Sequence, residues 1–246
     1  MWSRQAAQTG LKLRRHDQSI DLERGNRVLR IRASHTLYVP HMIDSFDYYF
    51  NSVVPVEDAG KLLVDMSGPR LHTLIGFEEG PFLFPSHTEP YSTTAEYLDF
   101  ANLKPGMTVF DIGAYSGVTS IIFSRLVGPD GRVFAFEADR TNYECARENV
   151  VRAESRGVRN ITLVHKAVWS HNDGLLFSSE GSMGSSAVAI TGGGRGDEIA
   201  SKPRRLKASA SSRASTVWIS SRWTSKAPRP KCFDRPLERL SRSAPG

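Results

Sequence analysis

The most constraining feature of this sequence is an apolar segment that runs into a glycine-containing loop and then into a helix-like segment. These residues read VFDIGAYSG over 109–117. Gly113 permits a sharp turn after the apolar segment, because glycine adopts backbone conformations that other residues avoid. Gly117 permits the following helix to pack close to the strand. In open α/β sheets, ligands bind outside the carboxyl ends of the strands, so this loop is a natural site for a nucleotide-like ligand.

The residues around this loop alternate between strand-like and helix-like patterns. Apolar runs bounded by glycine predict strands, and apolar residues at a spacing of three or four predict helices. The predicted strands cover residues 107–113, 131–139 and 160–168, and the predicted helices cover residues 92–103, 116–127 and 140–155. This alternation predicts parallel β-α-β units, and therefore an α/β fold with a doubly wound sheet.

Residues 1–90 have a different rhythm, which predicts a mixed α+β region. Apolar and basic residues alternate over residues 27–34, as in a half-buried strand. Apolar residues at helical spacing over 41–54 predict a helix. The short apolar runs 61–67 and 70–77 suggest a hairpin. We therefore expect an N-terminal accessory region ahead of the α/β domain.

Residues 200–246 lose both patterns, and their composition predicts disorder. Residues 201–246 carry twelve Lys or Arg against two acids, in a chain whose net charge is +6. Ser, Arg, Pro and Ala dominate, so little apolar surface is available to offset the entropy of ordering this tail. A basic block of this kind can also bind nucleic acid.

Two carboxylates indicate which ligand the loop binds. Asp111 leads the loop, and this acid would repel a pyrophosphate but can accept a hydrogen bond from an ammonium group. Glu137 ends the next predicted strand, 26 positions later, where a carboxylate can accept from both ribose hydroxyls. The sequence therefore favours a nucleoside with a cationic amino-acid end over a dinucleotide.

These motifs resemble those of the FkbM-type methyltransferases, which are class I S-adenosylmethionine-dependent enzymes with a Rossmann-like sheet. The resemblance covers residues 91–199. It is carried by the segments MTVFDIGAYSGVTSIIFS, GRVFAFEAD, ENV (148–150), NITLVHKAVWS and GSMGSSAV (181–188). The resemblance implies S-adenosylmethionine as the cofactor and a small-molecule methyl acceptor, such as the hydroxyl of a metabolite or sugar.

The resemblance also implies a set of cofactor contacts. The methionine end would lie near the first loop, the ribose at Glu137, and the adenine near residues that follow the second and third strands. The residues implied are Asp111, Gly113, Ala114, Gly117, Glu137, Ala138, Lys166 and Ala167. No residue is identified as a catalytic base.

The tail departs from the family pattern, in which the Gly/Ser segment is followed by a strand reading VDFIKMDIEGAE. Residues 217–235 stand in its place. When their codons are read in a shifted frame, they can encode VDFIKMDIEGAEAEVLR. This predicts a frameshift near residues 197–204. The chain would then lack the fourth and later strands of the fold and would be inactive.

The remaining features favour a cytoplasmic enzyme without a metal. No run of 18 or more apolar residues is present, so we expect no membrane partner. Cys145 and Cys232 are too few for a disulfide framework and lack metal-ligand spacing. We expect no nucleic-acid partner either, because the frameshift accounts for the basic tail. The oligomeric state is left open.

Two alternatives stay open at this point. The first is an NAD(P)-dependent oxidoreductase of Rossmann type, although Tyr115 stands where its loop would carry a second glycine. The second is a non-enzymatic nucleic-acid binder that uses the basic tail.

Overall fold

The computed structural model describes residues 2–77, 80–87, 98 and 101–168, together with four strands further along the chain at 175–179, 186–187, 197–201 and 216–220. The predicted helix over residues 92–103 falls mostly outside these ranges.

The N-terminal region contains a five-stranded mixed sheet with short helices beside it. The strands are β1 (Lys12–Arg15), β2 (Ser19–Arg24), β3 (Arg27–Arg32), β4 (Val56–Asp58) and β5 (Lys61–Met66), in the order β1-β2-β3-β5-β4. Strands β3 and β5 are parallel, and the other pairs are antiparallel. The helices are α1 (Trp2–Gln8), α2 (Val39–Asp44) and α3 (Phe46–Ser52). The predicted α+β character of this region is confirmed.

Two details of the N-terminal region differ from the sequence-based expectations. The predicted helix over 41–54 is split into α2 and α3 at Ser45. The predicted hairpin between 61–67 and 70–77 is wrong, because β5 pairs with the upstream strand β4 through a two-residue turn. Both turn residues have positive φ, 48° at Ala59 and 75° at Gly60, which matches the twist of tight hairpins.

A second, separate hairpin carries the chain toward the α/β unit. Strand β6 (Arg70–His72) pairs antiparallel with β7 (Phe82–Phe84). Residues 70–72 were expected to pair with the upstream run 61–67. They pair instead with residues 82–84, further along the chain. Strand β7 packs against a helix of the α/β unit, which joins the two parts of the protein.

The α/β unit forms as the sequence predicts. Its elements are β8 (Thr108–Ile112), α4 (Val118–Val127), β9 (Arg132–Glu137), α5 (Arg140–Glu154) and β10 (Ile161–His165). Strand β9 pairs in parallel with both β8 and β10. The predicted Rossmann-like α/β fold class is therefore confirmed in this part of the chain.

Local sequence explains where these elements begin and end. Alternate residues of β8 and β9, such as Val109 and Val133, are fully buried, as expected for strands covered by helices. Helix α5 begins after Asp139, whose carboxylate accepts a hydrogen bond from the Asn142 N–H at 3.0 Å. This cap satisfies one of the N–H groups that the first helical turn leaves without a partner.

The residues described beyond residue 168 form four strands. Strands β11 (Leu175–Ser179), β12 (Ser186–Ala187) and β13 (Asp197–Ser201) form a small antiparallel sheet. Strand β14 (Thr216–Ser220) pairs in parallel with β8 and extends the main sheet to the order β10-β9-β8-β14.

Strand β14 corrects the expectation that the tail has no regular structure and that a fourth strand is missing. Its sequence, TVWIS, is rich in β-branched and aromatic residues, which favour strands. By pairing with β8, strand β14 occupies the edge of β8 that we expected to be open. The rest of the predicted disordered tail, residues 202–215 and 221–246, lies outside the described residues.

The N-terminal region and the α/β unit share one hydrophobic core. Leu29 of the N-terminal sheet and Phe84 of the β6–β7 hairpin belong to the same cluster as Ile121 of α4 and Ala153 of α5. Sharing a core means that the two parts stabilise each other. Within the described residues, no helix is long and apolar enough to span a lipid bilayer.

Candidate functional site

The glycine loop lies at the carboxyl end of β8 and rests on the end of β9. The backbone N–H groups of Gly113 and Ala114 donate to the Phe136 carbonyl at 2.8 Å and 2.9 Å. Gly113 has a φ of 84°, a conformation that a glycine adopts at no steric cost. These bonds place the predicted methionine-end residues beside the carboxyl end of the neighbouring strand.

Glu137 lies at that strand end and already organises the loop. One carboxylate oxygen accepts from the Tyr115 N–H at 2.8 Å, and the other accepts from the Asp139 N–H at 2.8 Å. Burial raises the pKa of Glu137 to about 7, and the backbone N–H groups that point at the carboxylate partly oppose this rise. Each carboxylate oxygen retains a lone pair, so Glu137 can still accept from a ligand hydroxyl.

Asp111 lies one residue before the end of β8, and a residue of helix α4 fixes the orientation of its side chain. Its carboxylate accepts from the Ser120 hydroxyl of α4 at 2.5 Å. Burial raises the pKa of Asp111 to about 6, and the Ser120 hydroxyl lowers it. The two acids that the sequence singled out thus lie at adjacent strand ends, and both prefer the protonated form more than exposed acids do.

Gly117 allows helix α5 to approach the loop. Its φ is 75°, and a β-carbon at this position would lie 3.2 Å from the Ala146 β-carbon and 3.3 Å from the Ala146 α-carbon. The sequence predicted that Gly117 lets the following helix, α4, pack close to the strand, but the close contact that Gly117 permits is with Ala146 of α5.

We expect Gly117→Ala to lower the free energy of unfolding by about 2–3 kcal/mol, because it adds both backbone strain and a steric clash. Gly60→Ala is the matched control. Gly60 has the same φ of 75° with nothing within 4 Å of the added β-carbon, so only the strain of about 1 kcal/mol should remain. Chemical denaturation of both variants measures the difference. Equal losses would show that α5 does not constrain the loop.

The residues predicted near the adenine follow strands β9 and β10. Ala138 comes directly after Glu137, and its carbonyl lies 3.2 Å from Nε2 of His165, at the end of β10. The His165 ring stacks on Tyr143 with 4.4 Å between ring centroids. Lys166 is exposed and Ala167 is buried. Sequence reasoning did not identify the Tyr143–His165 pair, because Tyr143 resembles an ordinary helix residue.

Tyr115 is a second residue whose role the sequence did not reveal. It has a φ of 52°, which is unusual for a residue with a side chain. Its hydroxyl donates to the His87 carbonyl at 2.8 Å and lies 3.3 Å from the Ser86 hydroxyl. Burial raises the pKa of Tyr115 above its ordinary value. Tyr115 thus ties the loop to the chain that precedes the α/β unit.

The described part of the structure offers no obvious metal site. Among the residues from 2 to 168 that it describes, no group of three or more His, Cys, Asp or Glu side chains could hold a metal ion. The Gly/Ser segment at 181–188, which the resemblance includes, has described backbone only in strand β12.

Comparison with known proteins indicates a methyltransferase. Residues 86–174 match the family model of the protein-L-isoaspartate(D-aspartate) O-methyltransferases. A protein-L-isoaspartate O-methyltransferase of Methanothermobacter thermautotrophicus is 32% identical over 112 residues, which are 46% of this chain and 45% of that protein. Another, of Methanothrix thermoacetophila, is 36% identical over 123 residues, which are 49% of this chain and 58% of that protein.

One solved structure, of a protein-L-isoaspartate O-methyltransferase, is 25% identical to this chain. The alignment covers 48% of this chain and 30% of the solved chain, with a TM-score of 0.29. The aligned part of this chain spans less than two thirds of each of the two curated relatives.

These matches confirm one part of the sequence-based prediction and correct another. They indicate a class I S-adenosylmethionine-dependent methyltransferase domain, as predicted. They do not support the FkbM family specifically. The prediction of a small-molecule methyl acceptor is wrong, because the matching family and relatives are named for an acceptor on protein.

Proposed function

We propose that this protein is an S-adenosylmethionine-dependent methyltransferase whose acceptor is a carboxyl oxygen on a protein, of the isoaspartyl type. The observation that supports this most directly is the pair of buried carboxylates, Asp111 and Glu137, at adjacent strand ends within the segment that matches the methyltransferase family. The names of the relatives supply the acceptor class.

The arrangement of the loop fits this cofactor better than a dinucleotide. Asp111 would repel a pyrophosphate but attracts an ammonium or sulfonium group, and the Glu137 carboxylate can accept from ribose hydroxyls. Glu137 would hold the ribose. The other predicted contacts are made by residues of the loop and of the strand ends: Asp111, Gly113, Ala114, Gly117, Ala138, Lys166 and Ala167.

A carboxyl acceptor also reduces what the protein must provide. Bound S-adenosylmethionine would supply an activated methyl group, which a carboxylate oxygen could take directly while the electrons of the carbon–sulfur bond stay on sulfur. A carboxylate is already ionised at neutral pH and needs no general base. The chain's residues then act mainly by aligning the two reactants. This agrees with a sequence in which no catalytic base was identified.

The test is methyl transfer by the purified full chain from radiolabelled S-adenosylmethionine to two peptides that differ only in an isoaspartyl or an aspartyl residue. We expect base-labile label on the isoaspartyl peptide alone. Glu144→Gln, which alters an exposed acid on α5, should leave the transfer unchanged. Absence of label on the isoaspartyl peptide, in a sample that binds S-adenosylhomocysteine, would contradict the proposed transfer.

Three finer predictions from the sequence stay predictions. The FkbM assignment rests on the motif segments quoted above, and the frameshift near residues 197–204 rests on the strand recovered in the shifted frame. DNA sequencing through the codons for residues 190–240 tests the frameshift. The proposed methyl transfer disagrees with the inactivity that the sequence predicted from a missing fourth strand, and the transfer assay decides between them. The cytoplasmic location is tested by fractionating cells.

A further inference from the structure

Asn149 of helix α5 makes an unusually complete set of hydrogen bonds. Its side chain is 1% exposed. The Oδ1 atom accepts from the Leu83 N–H at 2.7 Å, and Nδ2 donates to the carbonyls of Leu83 and Ser116, each at 2.8 Å. Two donors and an acceptor of one amide are therefore all engaged with backbone groups.

These bonds connect two distant parts of the chain. Leu83 lies in β7, 66 positions from Asn149, and its N–H and C=O pair with the side-chain amide much as they would with a neighbouring strand. Ser116 lies in the glycine loop between Tyr115 and Gly117, and its carbonyl takes the remaining N–H. One side chain thus holds the hairpin strand and the loop together.

The same helix contacts the loop at a second point. Ala146 lies one turn before Asn149 and closely approaches Gly117. The hairpin side is also tied to the loop independently, since the Tyr115 hydroxyl donates to the His87 carbonyl. The backbone of the loop is therefore fixed both by α5 and by residues 83–87.

We propose that Asn149 is a positioning residue for cofactor binding, which holds the Ser116 carbonyl and thereby the loop in its binding conformation. This inference rests on the proposed function. Asn149 also couples the N-terminal region to the cofactor site, because its amide orients Ser116 and is itself oriented by Leu83. Asn149 does not need to touch the cofactor for this role.

Asn149→Asp tests the proposal with little change in shape. The carboxylate keeps the oxygen that accepts from the Leu83 N–H but places an oxygen against the carbonyls of Leu83 and Ser116. When this carboxyl is protonated it regains one donor. Calorimetric titration with S-adenosylhomocysteine should show binding at least about tenfold weaker than in the wild type at pH 8. At pH 5.5 the ratio of the two dissociation constants should shrink toward one.

The ratio of affinities separates positioning from a general loss of stability. Circular dichroism at each pH establishes that the variant is folded, and Val151→Asn, at an exposed position of the same helix (54% exposed), should match the wild type. If Asn149→Asp does not fold at pH 8, Asn149→Ser replaces it, with a smaller loss of affinity expected. A folded variant with wild-type affinity at both pH values overturns the inference. A wild type that does not bind S-adenosylhomocysteine overturns the proposed function instead.

Discussion

Replacing Glu137 by Gln is expected to weaken binding of S-adenosylhomocysteine by about 10- to 100-fold, because a charged acceptor to the ribose hydroxyls is lost. The amide can present only one oxygen to the two backbone N–H groups, of Tyr115 and Asp139, that now point at the carboxylate. Its NH₂ group then faces one of these donors, so the loop itself is disturbed.

Calorimetric titration at pH 8 measures this loss, and Glu144→Gln is the control. Glu144 is also an acid, but it lies on α5, where its side chain is 47% exposed and paired with Arg147. In the wild type, affinity should also decline as the pH falls through about 7, where Glu137 takes up a proton. Equal affinities of Glu137→Gln and wild type at pH 8 would show that Glu137 does not hold the ligand.

The second large effect is a pH-dependent difference in stability between Glu137→Gln and the wild type. Burial raises the pKa of Glu137 from 4.5 to about 7 in the folded protein. The folded state therefore keeps a proton that the unfolded state releases, and the wild type loses stability as the pH rises from about 4.5 to 7. Gln has no such proton, so its stability relative to wild type should rise by about 3 kcal/mol across this range.

The difference between variants is the informative quantity, because buried histidines act in the opposite direction. Burial lowers the pKa of His72 to about 4 and that of His87 to about 3. Because of these histidines, the free energy of unfolding falls as the pH drops below about 6.5, since they then take up protons only in the unfolded state. Urea unfolding of both proteins at pH 5, 6, 7 and 8 cancels this shared contribution. A difference that does not change with pH contradicts a buried, protonated Glu137.

Asp111 should show an effect of the same sign over a lower pH range. Its pKa is raised from 3.8 to about 6, so Asp111→Asn should gain relative stability mainly between those pH values. Both acids thus destabilise the ligand-free protein at neutral pH. Charged groups held in a buried position at a cost in stability are typical of binding sites.

The sequence predicted the α/β unit well because its signals are local. Apolar runs ending at Asp111 and Glu137, and the glycines of the loop, set strands β8 and β9 within one or two residues of their observed ends. The cap at Asp139, which the sequence analysis did not single out, is also local, because it lies within a few residues of the groups it satisfies. Signals of this kind need no knowledge of the rest of the fold.

The unpredicted features that matter most for the site depend on residues that are far apart in the chain. Strand β14 pairs with β8 across more than a hundred positions, and no local pattern specifies that partner. The same holds for the bonds of Asn149 to Leu83 and of Tyr115 to His87. Charge and composition made residues 216–220 resemble the basic tail around them, which concealed a short β-prone segment.

The most direct test of the whole account is calorimetric titration of the full chain with S-adenosylhomocysteine and, separately, with NAD. The two acids at adjacent strand ends predict binding of S-adenosylhomocysteine at a single site, weakened in Glu137→Gln, and no heat with NAD. Binding of NAD, or no heat with S-adenosylhomocysteine from a sample shown to be folded, would contradict the assignment of this loop as a methyltransferase cofactor site.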